Sequence, residues 1–156
     1  MDTASLIESF GLVAGTLLVC LVSGFVPVVN AELFLIAVSA YAEPTMLAPV
    51  LLSATLGQML AKSTMYLGGL GVVELPKGKF AERVRRLRTR MESWQGAPIG
   101  LVFVSASTGL PPFYVVSVMA GGLGVGFARF FALGFAGRLL RFGIFLAFPQ
   151  LLKSLA

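Results

Sequence analysis

Thirty-six consecutive residues, 93–128, contain no Asp, Glu, Lys or Arg. A helix that crosses a hydrocarbon core of ~30 Å needs about 20 apolar residues. At the rise of an α-helix this stretch would run to ~54 Å as one rod, yet it is short of two full spans. At its centre stands Gly109-Leu110-Pro111-Pro112. The two prolines remove two backbone donors, and the glycine frees the chain to turn. The constraint predicts a re-entrant helical hairpin over 97–122: residues 97–108 enter, Gly109, Pro111 and Pro112 form the tip, and 113–122 return to the same face. Each arm would reach ~15–18 Å, half a bilayer. Non-helical backbone at that depth is tolerated only where protein or a water-filled cavity surrounds it. A broken hairpin therefore argues for a cavity, and a cavity for the passage of something.

Composition carries the same message. With 57% apolar and 12% charged residues, the chain is far from the balance of a soluble domain and reads as an integral membrane protein. It has no His and one Cys, Cys20, and its carboxylates are scattered singly. No disulfide forms within one chain, no metal site assembles from the usual ligands, and no cofactor is implied. Without His no nucleophile–base pair can be built, so an enzyme is not expected.

The net charge of +5 has one address. Between Lys77 and Glu92 lie seven basic residues and two acids, and the rest of the chain is neutral overall. The positive-inside rule places this loop in the cytoplasm, in keeping with a bacterial inner membrane. Within 75–95, Phe80, Val84, Leu87, Met91 and Trp94 recur at the spacing of one helix face, with Arg83, Arg86 and Arg90 among the residues between them. That is an amphipathic helix lying on an anionic surface, with Trp94 at the interface. A basic stripe can also hold nucleic acid, but beside membrane spans a topology signal and surface anchor is the expected use, and no nucleic-acid partner is expected.

Residues 9–42 repeat the plan of 97–122. A first apolar helix over 9–25 is interrupted at Pro27, and 33–42 is too short to span. Val29-Asn30-Ala31 resembles a signal-peptide cleavage site, but Asp2 and Glu8 stand where such a peptide needs positive charge. A second hairpin with its tip near 27–32 is the expectation, Asn30 a candidate N-cap of the returning helix. Each hairpin precedes a long helix, 44–73 or 127–152, in which a cation follows a glycine: Gly57 then Lys62, Gly137 then Arg138 and Arg141. From tip proline to glycine is 30 residues in one half (Pro27 to Gly57) and 26 in the other (Pro111 to Gly137). The fold class expected is all-α and polytopic: two inverted repeats, each a re-entrant hairpin plus a transmembrane helix, joined by the basic amphipathic helix. Such repeats place a transporter's site near the midplane.

Charges inside these segments are the sharpest functional signal, since each costs about 2.5–3.5 kcal/mol at mid-bilayer unless paired or wetted. Glu32 reads as a proton-titrating or ligand-coordinating carboxylate, or else as a helix cap or a neutraliser of an arginine. Arg138 and Arg141 share a helix face; they form a phosphate-binding pair, or one of them pairs with Glu32, or they snorkel to headgroups. Lys62 faces the same choice, with the structural use favoured. Ser105, Ser107, Thr108 and Tyr114 flank the second tip and would donate to a headgroup or, as the expected use, to carbonyls freed at the helix ends.

Several segments, in their order and spacing, resemble the DedA/VTT (SNARE-associated) superfamily of membrane proteins in its short YqaA-like form. They are Pro27-Val28-Val29-Asn30-Ala31-Glu32, the run from Gly109-Leu110-Pro111-Pro112-Phe113-Tyr114 to Gly122, Phe127-Ala128-Arg129-Phe130-Phe131, and Gly137-Arg138-Leu139-Leu140-Arg141-Phe142. The likeness covers about residues 24–145. It implies two re-entrant hairpins and flipping or scrambling of a lipid, with proton coupling suspected for bacterial members. Glu32 would be the family's acidic residue, and the helix of Arg138 and Arg141 its arginine-bearing helix. This chain departs from the bacterial lipid-carrier flippases, whose second-hairpin proline is flanked by arginines; here the flanks are 105–110 and Phe113-Tyr114. The functional expectation is translocation of an anionic lipid or lipid phosphate, with membrane lipids as partners. A chain this short leaves the cavity to be completed by a second copy, so a homodimer is expected. An ion or small-molecule transporter and a non-transporting scaffold are the alternatives.

Overall fold

Apolar runs without an internal proline fold as long helices, and the tip sequences break them. The computed structural model describes residues 3–26, 28–71, 78, 79, 82, 86 and 98–155, the side chains of 3–7, 98 and 153 excepted. Among the described residues there are six α-helices and no strand. They are α1 (Thr3–Phe25), α2 (Ala31–Tyr41), α3 (Leu47–Gly69), α4 (Pro98–Thr108), α5 (Phe113–Gly122) and α6 (Phe127–Leu155), with a single 3-10 turn at Pro44–Met46. Three of them, α1, α3 and α6, are long and apolar enough to cross a membrane. This is a membrane protein by the length and composition of its helices.

The short helices α4 and α5, of 11 and 10 residues, flank Gly109–Pro112. Gly109 has φ 81°, a left-handed conformation that glycine adopts without a Cβ penalty. In the first half the arms are unequal: α1 has 23 residues and α2 has 11. The long helix expected over 9–25 begins six residues earlier, at Thr3, and the short one expected over 33–42 runs from Ala31 to Tyr41. The helix expected over 44–73 stops at Gly69. Its last turn closes through Leu70 N–H to Tyr66 O and Gly71 N–H to Gly68 O, with Gly71 at φ 80°. The last helix runs three residues past 152, to Leu155. The amphipathic helix expected over 75–95 lies outside the described residues except at 78, 79, 82 and 86, and Pro27 lies outside them as well.

The chain divides into two compact units, Met1–Ala61 with Arg138–Ala156, and Lys62–Gly137. The first holds α1, α2, the start of α3 and the end of α6. Its core is Cys20, Ala31, Leu35, Val50, Ala54, Phe142 and Leu146, with Leu12, Phe34, Val38, Leu47 and Leu51 packed around it. On α2 only Ala31, Leu35 and Ser39 are buried, a single stripe at four-residue spacing. Two polar ties hold that stripe to α6: Ser39 Oγ donates to Leu146 O at 2.6 Å, and Gln150 Nε2 donates to Ser39 O at 2.7 Å. On the other side Gly57 of α3 abuts Leu17 O of α1, and Gln58 Nε2 donates to Ser23 Oγ at 2.6 Å.

The second unit holds the end of α3, α4, α5 and the start of α6. Here α5 is buried on nearly every side, from Phe113 and Val115 through Gly121, as an apolar helix without a polar face must be. Gly69 of α3 lies against Val118 O and Gly121 of α5 against Tyr66 O, so the two backbones touch directly. Tyr66 stacks on Phe130 at 4.8 Å between ring centroids and donates its hydroxyl to Val125 O at 2.5 Å. Gly137 of α6 faces α4, where an added Cβ would stand 2.7 Å from Ala106 Cβ and 2.9 Å from Phe103 O.

Candidate functional site

The start of α2 is built by its cap. Asn30 has extended backbone (φ −85°, ψ 101°), and its Oδ1 accepts from Glu32 N–H at 2.9 Å and Leu33 N–H at 3.2 Å. This satisfies two of the donors that a helix start leaves without intrahelical partners, as an Asn cap does. Glu32 is then the second residue of the helix, where the positive end of the helix dipole favours a carboxylate. Arg141, 109 residues further along, reaches it from α6: Nε donates to Glu32 Oε1 at 2.7 Å and Nη2 lies 2.6 Å from the same oxygen. The pair is half-sheltered, with side-chain exposures of 19% for Arg141 and 26% for Glu32.

Arg138 stands one turn earlier on α6 and is buried. The titratable groups close enough to act on it electrostatically are Arg141, Glu32 and Cys20. Both arginines lie over aromatic rings one turn ahead: Arg138 Cζ is 5.6 Å from the Phe142 centroid and Arg141 Cζ is 5.6 Å from that of Phe145. A ring face attracts a cation at that range without neutralising it. Two guanidinium groups and one carboxylate leave this cluster with a formal charge of +1. Of the three uses open to the arginines, Arg141 takes the ion pair with Glu32.

Lys62 is buried in the other unit, its Nζ 5.9 Å from the ring centroid of Tyr114 on α5. Gly109, Pro111 and Pro112 form the turn between α4 and α5, where the Leu110–Pro111 bond is cis. The hydroxyls beside that turn bond to carbonyls: Ser105 Oγ donates to Pro111 O at 2.5 Å, Ser107 Oγ to Phe103 O, and Thr108 Oγ1 to Val104 O and Leu110 O. Ser105 and Thr108 thereby reach carbonyls of the turn itself, Pro111 O and Leu110 O. Arg86 is exposed and paired with Glu82 one turn away, worth a few tenths of a kcal/mol at such a surface position (about 0.3–0.5). Arg83, Arg90 and Trp94 lie outside the described residues, and Arg129 is exposed in the first turn of α6.

Sequence reasoning missed the aromatic backing of the arginines and the pairing of Lys62 with Tyr114. The first was readable, since Phe142 and Phe145 each follow an arginine by four residues. The second had no local signal, because α3 and α5 are far apart in the chain. Comparison of the chain with protein-family models, curated proteins and solved structures finds no match.

Proposed function

We propose that this chain is a membrane transporter that moves an anionic lipid or lipid phosphate across the bilayer. The observation that carries the reading is the cluster of Glu32, Arg141 and Arg138 at a helix start in a membrane protein. Keeping two arginines and one carboxylate in apolar helices is costly, and such residues mark ligand or proton paths by default. The formal charge of +1 favours an anion. A phosphate would meet Arg138 first and compete with Glu32 for Arg141, whose planar fork suits a phosphate as well as a carboxylate. Asn30 keeps the helix start capped throughout.

Under this reading the two hairpin-plus-helix halves have opposite orientations in the membrane, as in transporters built from inverted repeats. What supports it is the parts list of the two units. In each, a glycine of a long helix abuts the first arm of a hairpin (Gly57 on α1, Gly137 on α4). In each, a cation of a long helix reaches the second residue of the returning arm (Arg141 to Glu32, Lys62 to Tyr114). The resemblance to the DedA/VTT superfamily points to the same function, and to a bacterial inner membrane with the 75–95 loop in the cytoplasm.

The test is lipid movement in proteoliposomes. A headgroup-labelled anionic lipid is quenched from outside, and wild type is compared with Glu32→Gln on either side of a pH step. Rapid loss of the protected half in wild type, slowed in Glu32→Gln, is the expected result. Wild-type vesicles that behave like protein-free ones would remove the lipid reading.

A further inference from the structure

Helix α2 is tied to α6 near both ends, and the two ties differ in kind. Near its start Glu32 accepts from Arg141. Near its end Ser39 Oγ donates to Leu146 O, and Ser39 O accepts from Gln150 Nε2. The start of α2 meets the earlier residue of α6 and its end the later ones, so the two helices run in the same direction. Ser39 is fully buried. Its carbonyl is among the last four of α2, which lack intrahelical donors, so Gln150 satisfies an acceptor that the helix end leaves over. The tie at the start is ionic and half-sheltered, within reach of a competing anion, and Leu33 beside it is exposed. Burial and chain connection grade the same way. The buried stripe of α2 begins with the small Ala31 and continues to Leu35 and Ser39, so lifting the start uncovers little apolar surface. Five residues, 26–30, separate α1 from α2, whereas two, Ala42 and Glu43, lead from α2 into the turn at Pro44–Met46. A two-residue link running into a proline of fixed φ leaves its end of the helix less freedom than a link of five.

We infer that α2 is a gate hinged at its C-terminal end. When an anion takes Arg141, the start of α2 swings away from α6, while the clip of Ser39, Leu146 and Gln150 stays closed. The Asn30 cap bonds within the moving end and travels with it. Glu32 and Ser39 are seven residues apart, ~10 Å along a helix, so a rotation of about 30° at the clip carries Glu32 by ~5 Å. The anion as trigger rests on the transport reading above; the hinge itself is a property of the α2–α6 contact and holds or fails whether or not lipid moves.

The test uses the full chain in neutral detergent on a Cys20→Ala background, with spin labels in pairs at exposed positions. Leu33→Cys with Leu140→Cys reports on the start of α2, and Tyr41→Cys with Leu151→Cys on its end. Dipolar broadening is compared without ligand, with dodecyl phosphate, and with zwitterionic dodecyl phosphocholine as control. Dodecyl phosphate should remove most of the broadening of the start pair, saturably, and leave that of the end pair in place. Glu32→Gln should do the same without ligand, and the end pair, still broadened, shows that the variant is folded. Removing the clip as well, with Ser39→Ala and Gln150→Leu, should release the end pair too. Opening in Glu32→Gln without a response to dodecyl phosphate supports the hinge and removes the anion as its trigger. A start pair that stays broadened in Glu32→Gln, or an end pair that separates together with it while the clip is intact, overturns the hinge. So does an end pair that stays broadened once the clip is gone. Should Glu32→Gln not fold, Arg141→Met breaks the same tie and makes the comparison.

Discussion

Removing Glu32 should destabilise the protein more than removing Arg141, although the two groups make the same ion pair. In Arg141→Met the carboxylate keeps the helix start and Arg138 beside it, so its charge stays balanced. The loss is that of a half-sheltered charged hydrogen bond, about 2 kcal/mol. In Glu32→Gln the same bond is lost and Arg138 and Arg141 are left as like charges on adjacent turns. Two unit charges ~6 Å apart at an effective dielectric constant of 20 repel by about 3 kcal/mol, of which rearrangement of the exposed guanidinium relieves a part. Glu32→Gln should therefore cost about 3 kcal/mol. The double variant leaves Arg138 without a like-charged neighbour and should cost about 2–3 kcal/mol, well short of the sum of the singles. The assay follows maleimide labelling of the buried Cys20, the chain's single thiol, during SDS titration in mixed micelles. Additivity within about 0.5 kcal/mol would refute the coupling. So would a larger loss for Arg141→Met than for Glu32→Gln, since the excess positive charge would then not govern the cluster.

Two further outcomes follow from the packing and from the hairpin. Gly137→Ala should destabilise by about 1–3 kcal/mol in the same assay, because its Cβ would press on Ala106 and Phe103 O. Gly11→Ala and Gly100→Ala, with nothing within 4 Å of the added Cβ, should instead be neutral or stabilise by about 0.5–1 kcal/mol. On a Cys20→Ala background, Gly96→Cys and Leu123→Cys should be labelled by an impermeant reagent from the same side of the membrane; labelling from opposite sides would mean that 97–122 crosses fully and would end the inverted-repeat reading.

Much of the helical layout was legible along the chain, because it is decided locally. Hydropathy over about 20 residues marks a helix that can span, and the paired prolines after Gly109 interrupt one, although α6 runs on through Pro149. The turn at Gly109–Pro112 and the short α4 and α5 on either side of it follow from four residues in an apolar run. The length of α1 was less legible, since the polar or charged residues near its start, Thr3, Ser5, Glu8 and Ser9, gave no breaker to read.

The sequence by itself determined that the chain is helical and membrane-bound, and that Glu32, Lys62, Arg138 and Arg141 are charges in apolar surroundings. Only the tertiary structure decided which of them meet. Arg138 and Arg141 are both candidates for Glu32 by spacing, and Lys62 is a third; the structure gives the pair to Arg141, leaves Arg138 buried beside it, and sets Lys62 against Tyr114. The reason is geometric. Pairing across 109 residues depends on the rotation of α6 about its axis, which Ser39, Gln150 and the stripe Ala31, Leu35, Ser39 fix through contacts with α2. One residue along a helix turns a side chain by about 100°, a difference that hydropathy does not record and that packing settles.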